Sequence, residues 1–302
     1  MTVLEGIQRS AEFLAKKGVD SARLQAELLL AHALNLPRMK LYLNFERTLA
    51  PAEVDALREL VKRRGQREPL QHIVGSTSFC GFEIIVNRHV LVPRPETEIL
   101  AELGCEFLIT LGRVGCPQPA EQMRRGEDTA PYQARVLDFG TGSGCLAIAL
   151  ALKCPEARVT ALEVSQEALA VAHQNLARHG LELRVELAQG DGFTTLPADA
   201  RFNLIVSNPP YIATAEIESL QPEVRDFDPR VALDGGADGL DCIRRLAAEA
   251  GMLLAPGGRL MFEFGDGQAD AAHEILVRQN WIVEEVREDY SQRPRFLIAR
   301  RN

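Results

Sequence analysis

The spacing of apolar side chains divides the chain into a helical beginning and an alternating remainder. In residues 1–72 the period is helical. Thr2 and Glu5 have the spacing of a capping box, and Ile7, Ala11, Leu14 and Ala15 follow on one face. Leu24, Ala26, Leu28, Leu29, Leu30 and Ala31 predict a strongly apolar second helix, broken by Pro37. Pro51 suits the first turn of a third, with Val54, Leu57, Leu60 and Val61 on one face. Over residues 73–93 the period changes. Phe79, Gly81, Phe82, Ile84 and Val86 alternate as a β-hairpin linker would. Over residues 94–302 short apolar runs alternate with helical stretches, which predicts a doubly wound parallel sheet. Trp281-Ile282-Val283 and Arg295-Phe296-Leu297-Ile298-Ala299 predict two final strands, and their short connection makes them antiparallel neighbours.

Within that alternation, Arg135-Val136-Leu137-Asp138-Phe139 reads as a strand, Gly140-Thr141-Gly142-Ser143-Gly144 as a turn, and residues 145–152 as a buried helix. Glycines permit positive φ and close backbone approach, and the N–H groups of a helix start face outward, so this order suits a nucleotide-type cofactor. The G-x-G-x-G spacing lacks the extra residue of the dinucleotide-binding fingerprint. Alone, it also reads as a tight strand-to-helix turn. Residues 158–165 predict the next strand, ending at Glu163 about 20 residues past the glycines, where an acid accepts hydrogen bonds from ribose hydroxyls. Ser165 is placed to cap the following helix. A third strand over residues 184–188 runs into Gly190-Asp191-Gly192-Phe193. There Asp191 and Gly192 are placed for an adenine edge, though Asp191 reads equally as a turn former.

Phe202-Asn203-Leu204-Ile205-Val206 predicts a buried strand, and Ser207-Asn208-Pro209-Pro210-Tyr211-Ile212 follows it. Two prolines cannot continue a ladder, so the chain turns there. The turn leaves an amide side chain, backbone carbonyls and an aromatic ring at the strand's C-terminal end, where open α/β sheets bind ligands. A Pro-containing turn with a core tyrosine is the plainer reading of the tetrapeptide.

Taken together, these residues resemble the class I S-adenosylmethionine-dependent methyltransferases, and within them the HemK-like protein-glutamine methyltransferases that modify peptide-chain release factors. The resemblance runs from about residue 20 to the C-terminus. Its more specific marks are Glu68-Pro69-Leu70-Gln71-His72-Ile73-Val74-Gly75 with Phe79 and Gly81, Val90-Leu91-Val92-Pro93-Arg94-Pro95-Glu96-Thr97-Glu98, Leu233-Asp234-Gly235-Gly236-Ala237-Asp238-Gly239-Leu240, and Gly257-Gly258-Arg259-Leu260. It implies an α/β fold, the Rossmann-like seven-stranded sheet of class I methyltransferases, after a small N-terminal helical domain that recruits substrate. It implies S-adenosyl-L-methionine as cofactor, bound by Gly140, Thr141, Gly142, Ser143, Gly144, Glu163, Asp191, Gly192 and Asn208. It implies methyl transfer to the glutamine of the Gly-Gly-Gln motif of class I peptide-chain release factors. In that reaction Asn208, Pro209, Pro210 and Tyr211 hold the amide. The chain departs from the family pattern at Glu163, where Asp is commoner, and at Gly192, where some relatives carry an aromatic.

Composition narrows the alternatives. Hydrophobic residues make up 46% and charged residues 25%, an ordinary globular balance. No apolar run reaches membrane-spanning length, and no signal-like segment opens the chain. The six cysteines and six histidines show no metal-ligand spacing and no disulfide frame, as expected of a cytoplasmic protein. Net charge is −8, which argues against a large duplex footprint. Residues 1–72 nevertheless carry net +3, densest at Lys62, Arg63, Arg64 and Arg67. That spot reads as a solvated helix end or as a docking patch for an acidic partner. A nucleic-acid exocyclic-amino methyltransferase is the main rival, since the same tetrapeptide recurs there, and an inactive cofactor-binding scaffold is the other. Neither a stable nucleic-acid partner nor a membrane is expected. Residues 116–133, with three prolines and a glycine, are expected to form a surface loop.

Overall fold

The computed structural model describes residues 1–115 and 133–302, so the surface loop expected from Cys116 onward lies outside the described residues. The chain forms two compact units: residues 1–76 together with 220–228, and residues 77–219 together with 229–302.

The first unit is helical: α1 (Val3–Lys16), α2 (Ala22–Ala33), α3 (Arg38–Tyr42), α4 (Pro51–Gly65) and α5 (Leu70–Val74). The capping box is present, with Glu5 N donating to Thr2 Oγ1 and Thr2 N to Glu5 Oε2. Ile7, Leu14, Leu29, Leu30, Leu57 and Ile73 converge on one core. α3 and α5 are too short for periodicity to reveal. The arginines of the basic spot are spent inside this unit. Arg63 pairs with Glu68, and Arg64 and Arg67 both pair with Glu223 from the 220–228 segment. No sequence signal assigned that segment to the helical unit.

In the second unit, β1 (Ser76–Phe79) and β2 (Phe82–Ile85) make a two-stranded sheet. α6 (Thr97–Gly115), β3 (Arg135–Phe139), α7 (Cys145–Lys153), β4 (Arg158–Glu163), α8 (Gln166–His179), β5 (Val185–Gln189) and β6 (Phe202–Ser207) follow. The one-turn α9 (Pro222–Arg225) belongs to the helical unit. The chain then continues through α10 (Asp241–Glu249), β7 (Leu254–Glu263), α11 (Ala269–Arg278), β8 (Trp281–Glu288) and β9 (Pro294–Arg301). Seven strands form one sheet in the order β5-β4-β3-β6-β7-β9-β8. β5, β4, β3, β6 and β7 run parallel to one another, and β9 runs antiparallel to both β7 and β8, as the last two apolar runs predict for β8 and β9.

Alternation along the strands builds two cores. Val136, Leu204 and Val206 pack with Leu146, Ile148 and Leu150 of α7 and Leu100 of α6. Leu137, Ile205, Leu260 and Phe262 pack on the other face with Ile243 and Leu246 of α10 and Leu276 of α11. Both faces are therefore covered, which is why these strands read as near-continuous apolar runs. From β3 the chain winds outward through β4 and β5, then returns to β6 on the other side of β3. This reversal opens a crevice at the C-terminal ends of β3 and β6.

Candidate active site

That crevice is a cavity of about 380 Å³, lined wholly by the second unit. The glycine turn forms one wall. Gly140 and Gly142 have φ of 74° and 56°, the left-handed region that favours glycine. Gly140 N and Thr141 N both donate to Leu162 O, which ties the turn to β4. Asn175, fully buried in α8, donates to Ser143 O and exchanges two hydrogen bonds with Ile85, joining the turn to the hairpin. Beneath the turn, Asp138 Oδ2 accepts from Thr141 Oγ1 at 2.6 Å and from Ala147 N in the first turn of α7 at 3.1 Å. Complete burial pushes the Asp138 carboxyl up to about 7, against the pull of those two bonds. Its Oδ1 has no hydrogen-bond partner among the described residues.

Glu163 ends β4 at the cavity wall, almost buried. Its Oε1 accepts from Val164 N and Ser165 N, and its Oε2 from Gly142 N at 2.9 Å. Three backbone donors fix the carboxylate: two fill Oε1, and Oε2, with one, keeps a lone pair for a further donor such as a ribose hydroxyl. Ser165 caps α8 through Ala168 N, as its position predicts.

After β5, Asp191 and Gly192 line the cavity together with Arg245 of α10. Arg245 Nη1 donates to Asp191 Oδ1 and Nη2 to Asp191 O, both at 2.6 Å. Gly192 has φ of 97°, and a Cβ there would stand 1.9 Å from Arg245 Nη2. The guanidinium therefore lies in the space a side chain at position 192 would need.

The tetrapeptide after β6 closes the opposite side. Ser207 Oγ donates to Phe139 O, fixing β6 to the strand that precedes the glycine turn. Asn208 and Pro210 line the cavity, whereas Pro209 and Tyr211 are not among its lining residues. Tyr211 turns its hydroxyl to Glu263 Oε1 at 3.3 Å, with its ring beside the Arg295 guanidinium. Burial, then the nearby Glu263 charge, pushes its phenol up to about 12. Thr97 links Asn208 to Glu263 of β7. Its hydroxyl donates to Glu263 Oε2 at 2.8 Å and accepts from Asn208 Nδ2 at 3.0 Å. A hydroxyl has one proton, so Thr97 can only accept from Asn208. The amide is thereby oriented with Nδ2 toward Thr97 and Oδ1 away from it, as an acceptor. Glu263 is buried, and its carboxyl is raised by desolvation.

The mixed lining suits S-adenosylmethionine: apolar Phe139, Leu146 and Leu162 beside Glu163, the glycine turn and Asn208. Sequence reasoning did not single out Asp138, Asn175, Arg245 or Glu263 for the site. Asp138 alone left a trace there, as an acid within an otherwise apolar strand. Among the described residues there is no group of metal-ligating side chains, and no helix is long and apolar enough to cross a membrane.

Residues 5–75 match the PrmC N-terminal domain family and residues 127–221 the methyltransferase small domain family. The release factor glutamine methyltransferase of Geobacter sulfurreducens is 48% identical over 92% of this chain and 89% of its own length. That of Chlorobaculum tepidum is 40% identical over 98% of this chain and 96% of its own. A methyltransferase from Pyrococcus furiosus, 20% identical, shares the fold over 79% of this chain and 97% of its own with a TM-score of 0.50. With the glycine turn, Glu163 and Asn208 gathered around one cavity, the chain belongs to the release factor glutamine methyltransferase family of S-adenosylmethionine-dependent enzymes.

Proposed function

We propose that this chain methylates the side-chain amide nitrogen of the glutamine in the Gly-Gly-Gln motif of class I peptide-chain release factors. The observation that carries the reading is the imposed orientation of Asn208, whose Nδ2 is committed to Thr97. Its Oδ1 is left to accept an N–H from the incoming amide.

S-adenosylmethionine supplies an electrophilic methyl group on a sulfonium, a good leaving group. The glycine turn and Glu163 hold the amino-acid and ribose portions, with Asp191, Gly192 and Arg245 toward the base. A carboxamide nitrogen is a weak nucleophile because its lone pair is delocalised into the carbonyl. The chain's task is therefore placement, which contributes up to roughly 7–11 kcal/mol in favourable cases. Asn208 Oδ1 and the Pro209 carbonyl accept the two amide N–H groups, directing the lone pair toward the methyl group. Pro210 fills the wall beside the amide and excludes water. Tyr211 stiffens the turn from behind through Glu263. The extra amide proton leaves to solvent after transfer, so no buried base is needed.

The helical unit recruits the protein substrate, in this reading. Nucleic acid is not the acceptor, in keeping with the net charge of −8. The reaction belongs to the cytoplasm, in keeping with five free cysteines among the described residues. Mass spectrometry of a release factor, tRNA, rRNA and DNA, each incubated with enzyme and cofactor, tests the assignment. One added methyl on that glutamine is expected. Label on any other residue, or on nucleic acid alone, would overturn it.

A further inference from the structure

Gln268 follows β7 and stands at the N-cap of α11, yet its side chain does not cap that helix. Its amide instead bridges the turn that carries Asn208 to the backbone just past β7. Nε2 donates to Tyr211 O at 2.9 Å, and Oε1 accepts from Gly265 N at 2.8 Å. A carbonyl faces one end and an N–H the other, so the amide has a single orientation. Two glycines leave the room for it. A Cβ at Gly239 would stand 2.3 Å from Tyr211 O and 2.6 Å from Gln268 Nε2. One at Gly265 would stand 2.8 Å from Gln268 Oε1 and 3.2 Å from Cδ2 of the Tyr211 ring.

The Asn208 turn needs such a donor from outside. Pro209 and Pro210 have no N–H, so the corner itself donates no backbone hydrogen bond. Its entry is fixed by Ser207 Oγ donating to Phe139 O. Its exit is fixed at the carbonyls. Pro210 O lies against Gly235, where a Cβ would stand 2.8 Å away, and Tyr211 O is held by Gln268. Next in the chain, Ile212 N donates to Leu233 O and Ile212 O accepts from Gly235 N. The proline ring locks φ of Pro210, so few free torsions separate the held Tyr211 carbonyl from the Pro209 carbonyl. Gln268 is not among the residues lining the cavity, so it reaches the reaction only through the turn.

We infer that Gln268 is a positioning residue: by donating to Tyr211 O it fixes the exit of the Asn-Pro-Pro-Tyr turn and with it the direction of the Pro209 carbonyl, a role that rests on the acceptor geometry proposed above. Glutamate in its place would keep one oxygen for Gly265 N but set the other, ionised, against Tyr211 O. The carbonyl would be pushed away where it is now held.

The test uses the full chain, as wild type, Gln268→Glu and Gln268→Met, the last of similar length with no donor. Amide hydrogen exchange is read first, with no substrate present. The Ile212 N–H, next to the held carbonyl, is expected to exchange roughly tenfold faster in Gln268→Glu, with α7 and α8 as in wild type. The single-turnover methyl-transfer rate at saturating release factor is expected to fall on the order of 10–100-fold in Gln268→Glu, and less in Gln268→Met. S-adenosylhomocysteine affinity is expected to stay within about twofold, because the glycine turn and Glu163 are untouched. KM for the release factor should move as little, since what is lost is placement in the transition state. A release factor left unlabelled by wild-type enzyme would count against the proposed acceptor. The exchange reading needs no acceptor and still decides whether Gln268 holds the turn. Unchanged Ile212 exchange in folded Gln268→Glu overturns the clamp. So does a lowered melting temperature with the rate unmoved, the result of a purely structural hydrogen bond. Equal losses of cofactor affinity and rate overturn it as well, because the whole site would then have shifted. If Gln268→Glu does not fold, Gln268→Met decides by the same readings.

Discussion

Asn208 and Thr97 stand 111 residues apart in the chain, yet the Asn208 side-chain nitrogen donates to Thr97 Oγ1 at 3.0 Å. The polarity of that bond is set one step further back. Glu263 accepts from both the Thr97 and Tyr211 hydroxyls, so each must point its proton inward. A buried carboxylate on β7 thus determines which end of the Asn208 amide faces the acceptor.

Removing the relay should disorient Asn208 without touching the cofactor wall. Thr97→Val is expected to lower the methyl-transfer rate on the order of 10–100-fold, in line with losing an orienting partner one shell back. Thr97→Ser keeps the hydroxyl and should retain most activity. Glu263→Gln brings its own N–H₂ into the pair of hydroxyls and should behave like Thr97→Val. Single-turnover rates with calorimetric S-adenosylhomocysteine affinity check this. Equal rates for Thr97→Val and wild type would sink the relay.

Glu163 offers the corresponding test on the cofactor side. Glu163→Ala removes the acceptor for a diol and also frees Gly142 N, Val164 N and Ser165 N. Affinity for S-adenosylmethionine should fall by roughly 1.5–3 kcal/mol, the range for hydrogen bonds to charged groups. Glu163→Gln keeps one acceptor oxygen but puts an N–H₂ against backbone donors, so it should bind little better than Glu163→Ala. An unchanged dissociation constant would return Glu163 to a plain strand-end acid. Asn208→Ala should show the opposite split, with cofactor affinity kept and methyl transfer reduced on the order of 10²–10³-fold.

What the sequence made legible is local in the chain. The glycine turn, Glu163 at the end of β4 and the proline turn after β6 each announce themselves within a few residues of a strand pattern. The doubly wound order follows from those patterns in series. The partners that set the geometry leave no such trace. Thr97, Glu263, Arg245 and Glu223 are polar residues whose roles appear only when distant elements meet. Arg67 and Glu223, for example, are separated by 156 positions. Periodicity reports which side chains are buried in apolar cores, and a buried acid such as Asp138 or Glu263 reads as noise in that pattern. The basic spot on α4 was visible as charge, but its acidic partner lay outside any local window.

Arg245 yields a prediction because the sequence offers nothing aromatic at Gly192. The guanidinium is held by Asp191 at the cavity wall, on the side proposed for the base of the cofactor. A guanidinium against an aromatic face contributes about 0.5–2 kcal/mol. Arg245→Ala should therefore weaken S-adenosylhomocysteine by roughly 2–30-fold. It should leave S-ribosylhomocysteine, which has no adenine, unaffected. Asp191→Asn, which loosens the grip on Arg245, should fall between. Equal losses for both ligands would place Arg245 outside the adenine subsite.

Asp138 links the site to pH. Its carboxyl titrates near 7 in the folded chain, against an ordinary value of 3.8, because burial disfavours the charged form. A folded value above the unfolded one means that the folded state binds the extra proton between those two pH values. The stability Asp138 contributes is thus fully present below about pH 4 and is lost as pH rises through 7. The change amounts to at most roughly 4 kcal/mol, since each pH unit between the two values corresponds to about 1.4 kcal/mol. Glu263, also raised by burial, acts in the same direction, so the comparison must isolate Asp138. Asp138→Asn keeps an oxygen to accept from Thr141 and Ala147 but cannot ionise. Urea unfolding from pH 5 to 8 should show wild type losing stability relative to Asp138→Asn as pH rises. The gap between them should level off above pH 8. A difference that stays constant across the range would mean that Asp138 titrates at its ordinary value despite its burial.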